Sequence, residues 1–204
     1  MENETRSFET FQSSKRNFAL KKAMTHWFLK YGRRTIRFTV PLILIFVVSR
    51  ARALDFFAGA RGGAVLEGDA DRLHQAEIFG GAFICHWRIY SNWYLRPGAD
   101  GSVGWISDSH ANAFIGTLGP LVELGKGRFP LTLEGGAAPT FLTHHGFTPR
   151  NLGDNFQFTS HIGLNWKFTD HFSVGVRFQH MSNAGLARVN PGLNVEMLSL
   201  RFDF

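Results

Sequence analysis

Along residues 54–204, apolar and polar positions alternate within segments of about ten residues, and clusters of Gly, Pro, Asn and Asp separate the segments. The clearest segment runs from Phe156 to Phe168. Its even positions are Phe156, Phe158, Ser160, Ile162, Leu164, Trp166 and Phe168; its odd positions are Gln157, Thr159, His161, Gly163, Asn165 and Lys167. One face is almost wholly apolar or aromatic and the other is polar, which is the period-two signature of a strand between two environments. The segments predict eight strands, over 55–66, 72–90, 91–107, 111–125, 128–143, 155–168, 171–183 and 194–204. The first four alternate less cleanly, with Gly-Gly pairs at 62–63 and 80–81.

Length separates a lipid wall from a protein core. A tilted membrane strand needs about 9–11 residues, whereas strands of soluble sheets average about five or six. Aromatic residues make up 14% of the chain and gather towards segment ends (Trp87, Tyr90, Trp93, Tyr94, Trp105), as expected of girdles at two membrane interfaces. The last residues, Leu198-Ser199-Leu200-Arg201-Phe202-Asp203-Phe204, alternate up to a terminal Phe and resemble the final strand of bacterial outer-membrane barrels. The expected fold is all-β, an eight-stranded antiparallel transmembrane outer-membrane β-barrel. A secreted β-sandwich is the alternative.

The net charge of +6 changes this picture little, because it belongs to the N-terminal part. Residues 1–53 carry 11 Lys/Arg against 3 Asp/Glu, and residues 54–204 carry 11 against 13. No basic patch argues for nucleic acid. Residues 1–53 instead have the anatomy of a secretory signal with an N-terminal extension. Lys30, Arg33, Arg34 and Arg37 precede the apolar run Val40 to Val48, and Ala51-Arg52-Ala53 supplies a cleavage pattern before Leu54. The apolar run is too short for a spanning helix. Met24 is an alternative start. Residues 54–204 form the expected barrel domain. Cys85 is alone, so neither an intramolecular disulfide nor a cysteine metal site is expected.

Alternation also assigns faces. In the last strand Leu198, Leu200, Phe202 and Phe204 must meet lipid, and Asn194 and Glu196 share their parity. In the strand before it Val174, Val176 and Phe178 are on the same face as His180 and Ser182. These four polar residues therefore lie on the outer wall. With an even strand count and both termini in the periplasm, they lie near the extracellular rim, where an ionisable group costs about 0–1 kcal/mol rather than the 2–4 of the midplane. In a Gram-negative bacterium that leaflet is lipopolysaccharide.

A serine hydroxyl needs a base to become a nucleophile, and a histidine serves best when a third group fixes its tautomer. His180 and Ser182, two apart on one strand, lie about 6.5–7 Å apart along the backbone. Glu196, on the same face across the hairpin, is the candidate acid. Asn183 and nearby backbone amides, in the turn through Ala184 and Gly185, are candidate oxyanion donors.

The run Phe178-Gln179-His180-Met181-Ser182-Asn183-Ala184-Gly185-Leu186, followed by Asn190-Pro191-Gly192, resembles the signature of the PagL-type lipid A deacylases, also called acyloxyacyl hydrolases. The resemblance extends over Phe156–Phe204 and, more loosely, over the whole barrel. It implies an outer-membrane esterase that removes the 3-position acyl chain of lipid A by a Ser/His/Glu mechanism at the outer leaflet, without cofactor or metal. His180 and Ser182 match the family's base and nucleophile, and Asn190 joins the supporting residues. Counting without gaps places Asn194 at the family's glutamate, and Glu196 stands two residues later. A homodimer is left open.

Other groups carry weaker signals. Adjacent His144 and His145 point apart in extended chain and have no third metal ligand at a suitable spacing. His161 and Glu134 have inward parity and are expected in a lumenal network, Glu134 with Arg177 or Arg201. Eight strands enclose only enough room for side chains, which disfavours a porin. The rival functions are a non-catalytic barrel (anchor, adhesin or lipid-binding protein) and a phospholipase or acyltransferase acting on outer-leaflet lipids.

Overall fold

The computed structural model describes residues 54–65, 73–148 and 150–204. The expected leader and its cleavage point, with the alternative start at Met24, lie outside the described residues. The strands are β1 (Asp55–Ala64), β2 (His74–Phe83), β3 (Trp87–Arg88), β4 (Trp93–Ser107), β5 (Asn112–Lys126), β6 (Leu131–Leu142), β7 (Phe156–Lys167), β8 (Phe172–Ser182) and β9 (Leu193–Asp203). All pairings are antiparallel. Neighbours run β2-β1-β9-β8-β7-β6-β5-β4, and β2 pairs with β4 to close the ring. β3 is a two-residue piece that continues the β2 edge against Tyr94 and Leu95, so eight long strands make the barrel.

Seven of the eight expected strands match single elements. The eighth, expected over 72–90, is broken between β2 and β3, and Pro97 accounts for the break. The β2–β4 register ends at Phe83↔Gly98, so Ile84 would pair next with a residue that has no N–H. Ile84 still donates to the Pro97 carbonyl at 2.9 Å, but the ladder cannot return the bond. β3 and β4 are then joined by a tight turn with Ser91 and Asn92 both at positive φ (45° and 72°), the backbone of a type I′ hairpin.

Burial follows the predicted parity. Through β8 the residues from Phe172 to Met181 alternate strictly between exposed and buried, with Ser173, Arg177, Gln179 and Met181 inside. The outer wall is banded. Phe56, Trp93, Trp166 and Phe172 stand near the end with the short turns, and Trp105, Phe141, Phe156 and Phe158 near the end with the long loops. Ile78, Leu118, Ile162, Val176 and Leu198 lie between them. Tyr94, expected in a girdle, faces inward instead, 8% exposed and packed against Gly125. It falls on the inward phase of β4, whose outward positions are odd-numbered.

The interior is layered. Towards the turn end, Arg61, Arg96, Arg177 and Arg201 interleave with Glu77, Asp100, Glu123 and Glu134. Glu134 meets both Arg177 and Arg201 (3.9 and 4.0 Å), and His161 Nδ1 lies 2.6 Å from the Arg177 guanidinium. Both inward residues thus join the lumenal network. At the loop end the filling is apolar. Ile106, Ile115, Leu142, Met181, Leu193 and Val195 form one cluster with Phe147 and Leu152 from the β6–β7 loop. This plug lies immediately behind the outer-wall positions of His180, Ser182 and Asn194, and backs that stretch of wall with close-packed side chains.

Asp108, in the β4–β5 turn outside the spanning strands, clasps the long loop to the barrel. Its carboxylate accepts the N–H groups of His110, Ala111 and Thr148 at 2.6–2.7 Å. Burial works to raise its pKa, but the three backbone donors outweigh it and hold the carboxyl below the ordinary value. A depressed folded-state pKa contributes stability above the unfolded pKa, and that contribution is lost as pH falls through the folded one. The Thr148 amide should therefore stay protected from hydrogen exchange at pH 5–7 and lose protection only once pH has fallen below the ordinary aspartate value of about 3.9. In Asp108→Ala it should exchange freely throughout. Equal protection in both proteins would contradict the clasp.

Candidate active site on the lipid-facing wall

His180 projects outward near the top of β8, directly opposite Asn194 of β9. Its Nδ1 lies 2.7 Å from Asn194 Oδ1. An amide oxygen only accepts, so Nδ1 carries the proton and the lone pair is on Nε2. The other edge of the ring leans towards the loop end. A Cβ built on Gly192 would stand 2.9 Å from His180 Cε1 and 3.6 Å from Nε2. Ser182, one outward step above His180 and paired with Phe158, occupies that end of the wall. Among the described residues no hydrogen bond joins Ser182 to the imidazole. Catalytic hydrogen bonds often tighten only when substrate is present.

Glu196, the favoured acid from sequence, stands opposite Phe178 and beside Ala64, one outward step below Asn194. The structure brings His180 to Asn194 and does not bring it to Glu196. Glu196 instead borders a groove of about 670 Å³ on the outer wall, lined by Gly62, Ala64, Ile162, Val176, Phe178 and Leu198 among others. The groove passes just beneath the row Ser160–His180–Asn194. Its width comes from β1, whose outward residues Ala58, Ala60, Gly62 and Ala64 are all small.

The β8–β9 loop has a different role for Asn183 from the one expected. Asn183 is fully buried, and both hydrogens of its side-chain amide are committed, to the carbonyls of Leu152 (3.0 Å) and Val189 (2.7 Å). Its Oδ1 accepts from Gly185, and its backbone N–H donates to Asn190 Oδ1. Asn183 and Asn190 therefore brace the loop, and the Asn183 side-chain amide has no hydrogen left for an oxyanion. Ala184 and Gly185 sit at positive φ (54° and 78°), with Leu186 N–H returning to Asn183 O at 3.0 Å, as in a type I′ turn. The amides of Asn183, Gly185 and Leu186 are all engaged, and among the described residues the Ala184 N–H has no hydrogen-bond partner.

Sequence reasoning missed Ser160, on the outward face of β7 directly opposite His180. A polar residue in a Phe/Phe/Ile/Leu/Trp face was the available signal. It also missed Arg150, which donates from the β6–β7 loop to the Gly192 carbonyl at 3.1 Å and so braces the backbone beneath the imidazole. His144 and His145 are occupied within their own loop, His144 with the Gly146 carbonyl and His145 with Asn155 at 2.7 Å.

Gly192 offers a local test. It has φ +67°, and any side chain there would strike the imidazole edge. Gly192→Ala should leave a folded barrel but displace the ring from Asn194. Given the sensitivity of such chemistry to misplacement of about 1 Å, activity should fall about 10²-fold. Full activity in this variant would show that the ring position is not critical.

Fold and site together define a transmembrane β-barrel that carries a histidine and a serine, buttressed from within, on its lipid-facing wall. The family model for Lipid A 3-O-deacylase (PagL) matches residues 75–203, and the chain belongs to that family. A curated relative, Lipid A deacylase PagL of Bordetella bronchiseptica, is 36% identical over 72 residues, which is 35% of this chain and 40% of the relative. The match thus spans about two fifths of that relative's length. The crystal structure of the outer membrane enzyme PagL resembles this chain with a TM-score of 0.58 and 23% identity, covering 72% of this chain and 97% of that one. The likeness bears out the outer-membrane barrel fold.

Proposed function

We propose that the chain is an outer-membrane esterase that hydrolyses the ester-linked acyl chain at the 3-position of lipid A, with Ser182 as nucleophile, His180 as base and Asn194 as the residue that orients it. The observation that carries this reading is the His180–Asn194 contact on a wall otherwise built for lipid. Polar groups with an assigned tautomer at that place suit work on a lipid ester. Family membership supports the substrate.

In the proposed cycle His180 Nε2 takes the Ser182 proton as Oγ adds to the acyl carbonyl carbon. Asn194 Oδ1 keeps the Nδ1 proton in place, and the Ala184 N–H is a candidate donor for the oxyanion. Collapse of the tetrahedral intermediate breaks the bond to the sugar oxygen, which leaves with the proton from His180. Water, activated by the same histidine, then releases the fatty acid and restores Ser182. The groove beneath the site offers apolar surface for the acyl chain, with the sugar at the rim.

Incubation of the purified barrel with mixed micelles of lipid A and phosphatidylethanolamine tests this reading. Release of one ester-linked fatty acid from lipid A, with amide-linked chains and phospholipid intact, is the expected result. Release from the phospholipid alone would replace it with a phospholipase.

A further inference from the structure

We infer that the turn end of the outer wall holds a binding site for one anionic phospholipid of the periplasmic leaflet, with Lys126 and Arg128 on its phosphate and a groove over β5, β6 and β7 for an acyl chain. The inference rests on the barrel and not on the chemistry at His180. The groove, about 600 Å³, has a bed of Leu124, Phe129, Leu131, Leu133 and Leu164. Leu124 is opposite Leu133, and Leu133 is opposite Leu164, so three leucines form one row across three strands. Lys126 stands two residues, about 7 Å, further along β5 and opposite Trp93. The apolar bed therefore ends in cations at the level of the interfacial tryptophan. This is the end at which β1 begins and β9 finishes, which an even-stranded barrel places in the periplasm.

The mouth of the groove is tied down on both sides. Gly127, at φ +53°, donates to the Asn92 carbonyl in the β3–β4 turn at 2.8 Å, and Phe129 N–H returns to Lys126 O at 2.9 Å. On the other side Lys167, at the end of β7, donates to the Pro130 carbonyl at 2.8 Å. Lys126 Nζ lies over the Trp93 ring, 5.6 Å from its centroid, a contact that holds the ammonium at the interface. Lys126 and Arg128 are both exposed, and neither has an ion-pair partner among the described residues. The lumenal arginines, by contrast, all meet carboxylates. Two unmatched cations beside an apolar bed complement a phosphodiester with a net negative charge. A zwitterionic headgroup brings its own ammonium, which the same cations repel.

The test is native mass spectrometry of the folded barrel, released from detergent micelles that hold equal amounts of phosphatidylglycerol and phosphatidylethanolamine. Wild type should retain one phosphatidylglycerol in preference by about twentyfold, about fivefold for each cation. Lys126→Gln combined with Arg128→Gln should bring the ratio to near one. Leu131→Trp keeps both charges but fills the bed, and should lose retention of either lipid. Arg88→Gln, which removes an exposed cation of β3 outside the groove, should leave the ratio unchanged. All the substituted side chains are on the outer surface, so each variant should fold. Equal retention of the two lipids by wild type overturns the inference, as does a preference that survives the double change or Leu131→Trp. An equal loss in Arg88→Gln would mean a diffuse basic rim and overturns the site. Displacement of phosphatidylglycerol by added lipid A, abolished by the double change, would overturn the choice of occupant.

Discussion

Replacing Ser182 by alanine should lower kcat for lipid A deacylation by about 10⁴–10⁶-fold, and His180→Ala should cost nearly as much. The two act as one unit. The serine is inert until its proton is taken, and the histidine has no other proton to take in the first step. The double variant should therefore be no worse than the poorer single one. Neither change threatens the fold, because both side chains lie on the outer wall and neither belongs to the apolar plug or the lumenal ion pairs. Fatty acid release from purified, refolded variants measures the effect. A Ser182→Ala protein with even a tenth of wild-type activity would mean that another group attacks the ester.

The second large effect concerns Asn194. Removing its side chain in Asn194→Ala takes away the acceptor for Nδ1–H, so the imidazole can adopt the tautomer that places a proton on Nε2. The expected loss is about 10²–10³-fold in kcat. Asn194→Asp tests the same position in the opposite direction. A carboxylate would keep the tautomer and add a charge that stabilises the imidazolium forming in the transition state, so kcat should rise about tenfold. Glu196→Ala, one step down the wall, should leave kcat within a few-fold. A collapse of activity in Glu196→Ala with an intact rate in Asn194→Ala would reverse the assignment.

That choice between Asn194 and Glu196 shows what period two can and cannot carry. Parity placed His180, Ser182, Asn194 and Glu196 outward, and burial bears this out, because a barrel wall one residue thick leaves each side chain either in lipid or in the lumen. Residues two apart share a face, however, so parity cannot separate 194 from 196. Cross-strand register depends on how the β8–β9 loop folds, with its positive-φ residues at Ala184, Gly185 and Gly192. The brace formed by Asn183 was equally hidden, since its partner Leu152 is 31 residues away on another loop. Pro97 could have announced the break between β2 and β3, but only once its partner strand was known. The lumenal network and the lipid face were legible because each follows from local alternation alone.

Removal of an acyl group from lipid A through Ser182 would leave a mass change that can be read in the cell. The most direct measurement is the mass spectrum of lipid A from Gram-negative cells that express either wild type or Ser182→Ala, with both barrels confirmed as folded in the outer membrane. Lipid A should lose the mass of one ester-linked acyl chain with wild type and keep it with Ser182→Ala. Lipid A of identical mass in both strains would contradict it.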